Sequence, residues 1–423
     1  MPNDTRADSS RPCIILISPH SSYRLGPYIR AAEKLNVQVI VVSQGEYSLV
    51  SSIASGIHVD FKQDDTPQHI IEATRSSHIK AVIGTDDITV ELAAKVSQSL
   101  GIIHNDLYAS RLTRRKDLAR ACLAESPVNV PAFEKYLLKD LIQGNTIDIP
   151  YPCVIKPLAL SGSRGVIRLN QPEDLIGACK RLQAILKLAT EDDEERQNVL
   201  IESYIAGYEY AYEGLLDKGQ LQTLALFDKP DLMEGPYFEE TYYVTPSRLD
   251  QALQDKIKQA VELACRAYGL REGPVHAEVR IRDGEVWFME MASRTIGGQC
   301  AQLLQYATGL SLEEIVIKQA AGLKLDLADA QNAAGVLMIP ITERGLLRRV
   351  EGMLTAEKIP YIEDIEISIQ EGYELIPLPE GDSYLGFIFA KAPTPELAEQ
   401  ALRDAYAKLK VVTLPVLHTS PVI

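Results

Sequence analysis

Residues 273–298 read GPVHAEVRIRDGEVWFMEMASRTIGG, and how this stretch pairs with itself decides the fold. Its two arms, Val275 to Ile281 and Glu285 to Met291, are rich in β-branched and aromatic residues and flank Asp283-Gly284, a strong short-range signal for a β-hairpin. A two-residue turn would pair Arg282 with Glu285 and set Glu278 opposite Met289, sending Glu278 and Glu290 to opposite faces. A three-residue turn, Arg282-Asp283-Gly284 with Gly284 left-handed in a bulge, pairs Ile281 with Glu285 and Glu278 with Phe288. His276, Glu278, Arg280, Val286, Phe288 and Glu290 then share one face, with Trp287 and Met289 on the other beside Ala277 and Val279. In that register the two acids are diagonal neighbours, about 7 Å apart at the backbone, within reach of one metal cluster. Magnesium is usually held by one or two carboxylates completed by substrate phosphates, so the second register predicts a metal and phosphate centre. An ordinary hairpin with a solvated, charged face is the alternative reading of the same residues.

The 423 residues suffice for about three domains at roughly 150 residues each. A hydrophobic content of 46% with 24% charged residues fits a globular protein. No apolar run approaches the roughly 18 residues that span a bilayer, and Met1 to Arg11 is a polar tail without an apolar signal region, so the expected location is cytoplasmic. The formal charge of −15 opposes binding to nucleic acid or to an anionic membrane, and any phosphate must be gripped locally. Cys13, Cys122, Cys153, Cys179, Cys265 and Cys300 lie far apart without a CxxC pair, which indicates buried free thiols rather than zinc ligands or disulfides.

From Cys13 the chain alternates: CIILIS, a helical stretch from Tyr23 to Leu35, VQVIVVS, a helical stretch from Pro67 to Ser77, then KAVIGTDD and a helix to Leu100. This alternation implies βαβ units around a parallel sheet, a doubly wound N-terminal lobe, without the GxGxxG fingerprint of dinucleotide binding. Pro19-His20-Ser21-Ser22 and Gly84-Thr85-Asp86-Asp87 follow strands, where open α/β sheets place ligand loops; plain strand-end turn chemistry is the reading preferred for both. Thr113 is the expected N-cap of a helix to about Glu125 whose first turn carries Arg114, Arg115 and Lys116. Cations there oppose the helix dipole, a conflict that a bound anion would remove, which makes Lys116 a candidate phosphate grip.

Tyr151 to Pro157 reads as a strand ending in Lys156, followed by Ser161-Gly-Ser-Arg-Gly165 and a second strand, Val166 to Leu169. A loop with two glycines between strands can turn successive N–H groups toward phosphate oxygens. After a helix from Glu173 to about Thr190, the acidic run Glu191 to Glu195 is expected as a solvated, dispensable loop. NVLIESYI, 198–205, reads as a buried strand. Beyond Gly207, Tyr208, Tyr210 and Tyr212 alternate with Glu209 and Glu213 on the opposite face. Phe227 to Leu249, with three prolines, looks like a binding loop rather than a regular element. Strand-like AGVLMIPI, LLRRVEGM, IEISI and YLGFIFAKA, with a helix from Pro395 to Lys410, compose a C-terminal α+β lobe.

Taken together, Lys116, VIKPLALSGSRGV, VLIESYIAGYEYAYEG and HAEVRIRDGEVWFMEMASRTIGG resemble the ATP-grasp superfamily, in particular its L-amino acid ligase and carnosine synthase-like branch. The resemblance implies an α/β fold with a doubly wound N-terminal lobe (1–112), a central ATP-grasp domain (113–325, lid about 150–200) and an α+β C-terminal lobe (326–423). It implies ATP and magnesium, with manganese as a substitute. Lys116 and Lys156 would be the phosphate lysines, and Ser161, Gly162, Ser163 and Gly165 the lid loop. Glu202, Ser203, Tyr204 and Ile205 would form the adenine hinge, with backbone hydrogen bonds from Ser203 and Ile205, and Glu209 the ribose acid. Glu278 and Glu290 would be the metal ligands, and Arg294, with Lys156 and Ser163, would act on the transferred phosphoryl. Ala292 stands where many relatives carry asparagine, which puts a third ligand and a second metal in question. The implied reaction joins a small-molecule carboxylate, such as an amino acid, to an amine through an acylphosphate, releasing ADP and phosphate; a homodimer is a further expectation. A carboxylating or purine-pathway ATP-grasp enzyme, and a nucleotide-binding protein without turnover, are the alternatives.

Overall fold

The computed structural model describes residues 11–20, 22–44, 55–327 and 330–416; most of the polar N-terminal tail and Ser21 of the first flagged loop lie outside them. The N-terminal lobe holds a four-stranded parallel sheet in the order Ser55–His58, Gln38–Ser43, Cys13–Ser18, Ile79–Gly84. Cys13–Ser18 is buried along its whole length. Ile14 and Leu16 enter one core with the helix Leu25–Lys34, while Ile15 and Ile17 enter another with Ile70 and Ala93. A strand covered on both faces needs no polar alternation, which is why CIILIS reads as a continuous apolar run. The edge strand Ser55–His58 was not foreseen, because SGIH offers one large apolar residue.

A second, four-stranded antiparallel sheet orders Phe133–Leu137, Asn198–Ser203, Cys153–Pro157, Ile167–Leu169. Its core is closed by Leu175, Cys179, Leu182 and Leu186 of the helix Asp174–Ala189. This sheet reaches back to Phe133 rather than to about residue 150, through a strand too exposed to carry an apolar pattern.

The largest sheet has eight strands in the order Glu285–Ala292, Gly273–Arg282, Tyr208–Asp217, Gln220–Asp228, Tyr242–Thr245, Ala333–Ile339, Gly386–Ala392, Ile362–Ile367. It runs straight across the expected boundary at 325/326 by pairing Tyr242–Thr245 with Ala333–Ile339. Three strands of the expected C-terminal lobe therefore extend the central sheet, and Gly345–Glu351, Glu374–Leu375 and Lys410–Leu414 form a separate small sheet. Phe227 to Leu249 is likewise part strand, contributing the end of Gln220–Asp228 and Tyr242–Thr245 with a loop between. Tyr210 and Tyr212 pack with the helix Gln251–Tyr268, while Glu209 and Glu213 are buried on the opposite face.

Two helix-boundary expectations fail. Thr113 caps the C-terminus of Leu107–Leu112, and the next helix starts at Lys116 behind Arg115, without a side-chain cap. The acidic run is not a solvated loop: Asp192 caps the helix Asp193–Gln197, accepting from the Glu195 N–H. Glu195 is buried against Arg114 at 2.5 Å, and Glu194 pairs with Arg115 at 3.0 Å and Lys135 at 3.1 Å. These carboxylates neutralise Arg114 and Arg115 beside the helix start. Glu195→Gln is therefore expected to cost about 1–3 kcal/mol, because it leaves the part-buried Arg114 with only Glu91 at 3.6 Å. Urea unfolding checks this, and an unchanged midpoint would restore the reading of a dispensable run.

Candidate active site

A cavity of about 790 Å³ opens between the small antiparallel sheet and the eight-stranded sheet and is closed at one end by loops of the N-terminal lobe. Lys116, Lys156, Glu278, Glu290 and Arg294 line it together, although they come from a helix start, a strand end and the hairpin.

The hairpin reaches this result by a different register from the one expected. Asp283 and Gly284 both have positive φ, 54° and 74°, which makes the turn two residues long and pairs Arg282 with Glu285. An extra residue, Met289, then bulges from the returning strand, so that Glu278 lies directly opposite Glu290, and Val279 opposite Phe288. Arg120 holds the bulge by donating from Nη2 to the Met289 carbonyl. The Phe288 N–H donates to the Asn129 carbonyl at 2.8 Å. The carboxylates thus share a face with His276 and Arg280 as expected. Val286 and Phe288, however, belong to the apolar core with Ala277 and Val279, and Trp287 stands opposite Arg280 on the acidic face. Ala292 lies opposite His276.

Each expected side chain has a definite partner. Lys116 pairs with Glu290 at 3.3 Å and donates to the Leu160 carbonyl at 2.9 Å. Lys156 is held by Glu202 at 2.5 Å, and Glu202 also takes Arg120 Nε at 2.8 Å. The Glu202 side chain is therefore a buried clamp on two cations at the cavity wall. Burial, with the cationic Arg120 and Lys116 nearby, pulls the Lys156 pKa below its usual value against the pull of Glu202. Arg294 is fixed by a two-pronged ion pair to Asp87, at 3.0 Å on each prong, and its pKa rises under Asp87 although burial opposes it.

The loop after Lys156 turns through positive φ at Gly162 (63°), Ser163 (55°) and Gly165 (74°). Ser161, Gly162 and Ser163 line the cavity, and Gly165 packs behind them. Its N–H donates to the Pro379 carbonyl at 2.9 Å, and a Cβ there would come within 2.8 Å of Pro157 and 2.9 Å of Leu182. Arg164 continues the contact by donating to the Glu380 carbonyl and Asp382, tying the loop to the C-terminal region. On the hinge, Ser203, Tyr204 and Ile205 line the cavity, and the Ser203 N–H donates to the Ala132 carbonyl at 2.8 Å. The Ile205 carbonyl accepts from Arg280 at 2.8 Å.

Several functional candidates escaped sequence reasoning. Lys229 places its ammonium 2.7 Å from Glu209, 2.9 Å from Glu240 and 2.7 Å from Glu278. These three carboxylates offer oxygens within 4.8 Å of one another. No spacing rule points to a lone lysine in a long loop. Arg120 was legible in principle, one helical turn after Lys116. The two N-terminal loops assigned to turn chemistry supply Pro19, Ser22, Asp86 and Asp87 to the cavity wall, and Arg24 follows the first of them.

The electrostatics separate the two hairpin acids. Burial raises the pKa of Glu278, aided by Glu209 and Glu290 and opposed by Lys229. Burial acts the same way on Glu290, yet Lys116, Lys156 and Arg294 outweigh it and hold its pKa at about 2. An ionised carboxylate among three cations is a surface built for a polyanion carrying its own cation.

Comparison with known proteins agrees with this geometry. Residues 149–302 match the ATP-grasp domain, and residues 337–414 match L-amino acid ligase C-terminal domain 2. The chain is 21% identical over 273 residues to the alanine–anticapsin ligase of Bacillus subtilis, covering 61% of this chain but only 57% of that enzyme. It is 24% identical over 350 residues to dapdiamide A synthase of Enterobacter agglomerans, covering 77% and 78%. The crystal structure of an L-amino acid ligase from Bacillus licheniformis has the same fold, with a TM-score of 0.81 at 21% identity over 96% of this chain and 99% of that one. Residues 149–302 therefore form an ATP-grasp domain, and the chain as a whole is similar to ATP-dependent ligases, in particular to the L-amino acid ligases.

Proposed function

We propose that the protein joins a small-molecule carboxylate, most simply that of an amino acid, to an amine at the expense of ATP, through an acylphosphate. The observation that carries this reading is the meeting of Lys116, Lys156 and Arg294 with Glu278 and Glu290 around one cavity between two sheets. The named activities of the alanine–anticapsin ligase and dapdiamide A synthase support it. Pro131, Val154, Tyr204, Ile205 and Met289 give an apolar slot suited to adenine. Glu209, steadied by Lys229 and Arg280, would take the ribose. Lys116, Lys156 and the backbone of Ser161 to Ser163 would hold the phosphates, with Arg294 facing the terminal one.

The donor set fits a hard divalent cation such as magnesium: Glu290 stays ionised, and Glu278 stands opposite it. Bound there, magnesium would neutralise the phosphates of the nucleotide. The chain's own groups position the substrate carboxylate so that its oxygen attacks the γ phosphorus and ADP leaves. The amine, having lost a proton, then attacks the acyl carbon, and orthophosphate departs. Catalysis in this scheme is positioning and charge stabilisation. The arrangement aims cations at the outer phosphates, and preorganised donors help only the transition state that they face.

The expected nucleotide product is therefore ADP, with orthophosphate, in a turnover that needs a carboxylate substrate. Hydroxylamine in place of the amine should trap the activated acyl group as a hydroxamate. Assay with pooled amino acids, resolving ADP from AMP, tests both points. AMP and pyrophosphate as products would overturn the mechanism.

A further inference from the structure

Behind the cavity wall lies a buried acid, Glu213, that the proposed mechanism leaves without a role. It sits inside the strand Tyr208–Asp217 and is 1% exposed. An ionised carboxylate at that depth costs stability unless nearby charges and hydrogen bonds offset it. Here the offset is thin. Oε1 accepts from the Ile296 N–H at 3.3 Å, and among the described residues no lysine or arginine forms an ion pair with the group. Burial pushes the Glu213 pKa up, against the pull of His276, the Ile296 N–H and Arg294. An apolar side chain would fill the place without that cost, so the carboxylate calls for another reason.

Its second oxygen supplies one. The pairing of Gly273–Arg282 with Tyr208–Asp217 sets His276 directly opposite Glu213. Glu213 Oε2 faces His276 Nδ1 at 3.3 Å, and Nε2 of the same ring faces Glu278 Oε1 at 3.8 Å. Neither Glu213 Oε2 nor His276 Nδ1 has a hydrogen-bond partner elsewhere among the described residues, so each answers only to the other. His276 and Glu278 border the cavity, whereas Glu213 stands behind them. The nearest approach of Lys229 to Glu278 is also to Oε1, at 2.7 Å, and Oε2 of Glu278 accepts no hydrogen bond among the described residues. One oxygen of Glu278 is thus held from behind, and the other is left for the cavity.

We infer that Glu213 is a positioning residue: acting through His276, it fixes the Glu278 carboxylate in the orientation that receives the divalent cation of the nucleotide. The inference rests on the ligase reading above. Glu213 itself touches neither nucleotide nor cation. Through Ile296 it also steadies the loop that carries Arg294, so one buried carboxylate braces both the hairpin acid and the arginine.

Glu213→Gln separates these two contacts, because the amide keeps an oxygen for the Ile296 N–H and loses the charge that faces the ring. Manganese binding to the complex of enzyme and ADP, read by electron paramagnetic resonance, needs neither turnover nor a known amine. Manganese affinity should fall about 10- to 100-fold in Glu213→Gln, the range for groups that hold a metal ligand from behind, while ADP affinity measured with chelator stays within about twofold. His276→Phe should show a similar loss, and His276→Gln, which keeps polar atoms between the two carboxylates, should recover part of it. The His276 variants probe the same chain of contacts whether or not Glu213→Gln folds. Combining Glu213→Gln with His276→Phe should add little to either alone, because both break one connected network. A merely structural role would weaken ADP and manganese binding together. Manganese affinity unchanged in Glu213→Gln, or in His276→Phe, or losses that add fully in the double variant, would overturn the inference and leave the ligase reading standing. Absence of ADP-dependent manganese binding from the wild-type enzyme would remove both.

Discussion

Lys229→Met is expected to cost about 3–5 kcal/mol of folding stability, the range seen when one partner of a buried ion cluster is removed. The Lys229 side chain is 3% exposed and is the shared partner of Glu209, Glu240 and Glu278. Methionine fills similar volume but leaves these acids facing one another, with Arg280 compensating only Glu209. Even with Lys229 in place, burial and the neighbouring Glu278 push the pKa of Glu240 up to about 7. Its folded value thus exceeds the usual carboxylate value of 4.5, so the folded state keeps a proton that the unfolded chain releases. Stability from this group is full below about pH 4.5 and declines as pH rises through about 7. Loss of Lys229 removes the cation that opposes this rise at Glu240 and Glu278, and the variant should lose stability with rising pH more steeply than wild type. Urea unfolding between pH 5 and 8 measures both effects, and Lys229→Met combined with Glu240→Gln should recover part of the loss. A single variant within about 1 kcal/mol of wild type would mean that Lys229 does not neutralise the cluster.

The same lysine marks where the sequence stops being legible. Strands covered on two faces, the Asp-Gly hairpin, the lysine before a glycine loop and the Tyr/Glu alternation are local patterns, and each appears where the sequence puts it. The alignment of Glu278 with Glu290 was reached through the wrong register, because a two-residue turn and a Met289 bulge together restore what a three-residue turn would have given. The bulge depends on Arg120, 169 residues away along the chain. Compensation at that distance has no local signature. Lys229 with its three acids, Asp87 with Arg294, and Arg114 with Glu195 are likewise long-range pairs. From the sequence neither half of such a pair points to the other, and the acidic run at 191–195 was misread for that reason. The continuous eight-stranded sheet hides its domain join because AGVLMIPI pairs with a strand inside what looked like a long loop.

Glu290→Gln should lower turnover by roughly 100-fold or more, the order seen when one preorganised electrostatic group of an active site is removed. Glutamine keeps the shape and leaves the hairpin pairing intact, so the loss isolates charge. Glu290 is the hairpin acid held ionised, with its pKa at about 2 among Lys116, Lys156 and Arg294, and its side chain remains 40% open. Removing its charge weakens the attraction for a divalent cation and at the same time frees Lys116, its 3.3 Å partner. The two consequences have opposite signs for the nucleotide. The magnesium concentration needed for half-maximal turnover should rise, whereas ATP binding measured without magnesium should hold or tighten, because Lys116 then faces the phosphates without its competing carboxylate. A structural defect would weaken both together. Titration calorimetry with ATP in the presence of chelator, beside turnover as a function of magnesium, separates the cases. Unchanged turnover and an unchanged magnesium requirement would remove Glu290 from the metal site and with it the role given to the hairpin.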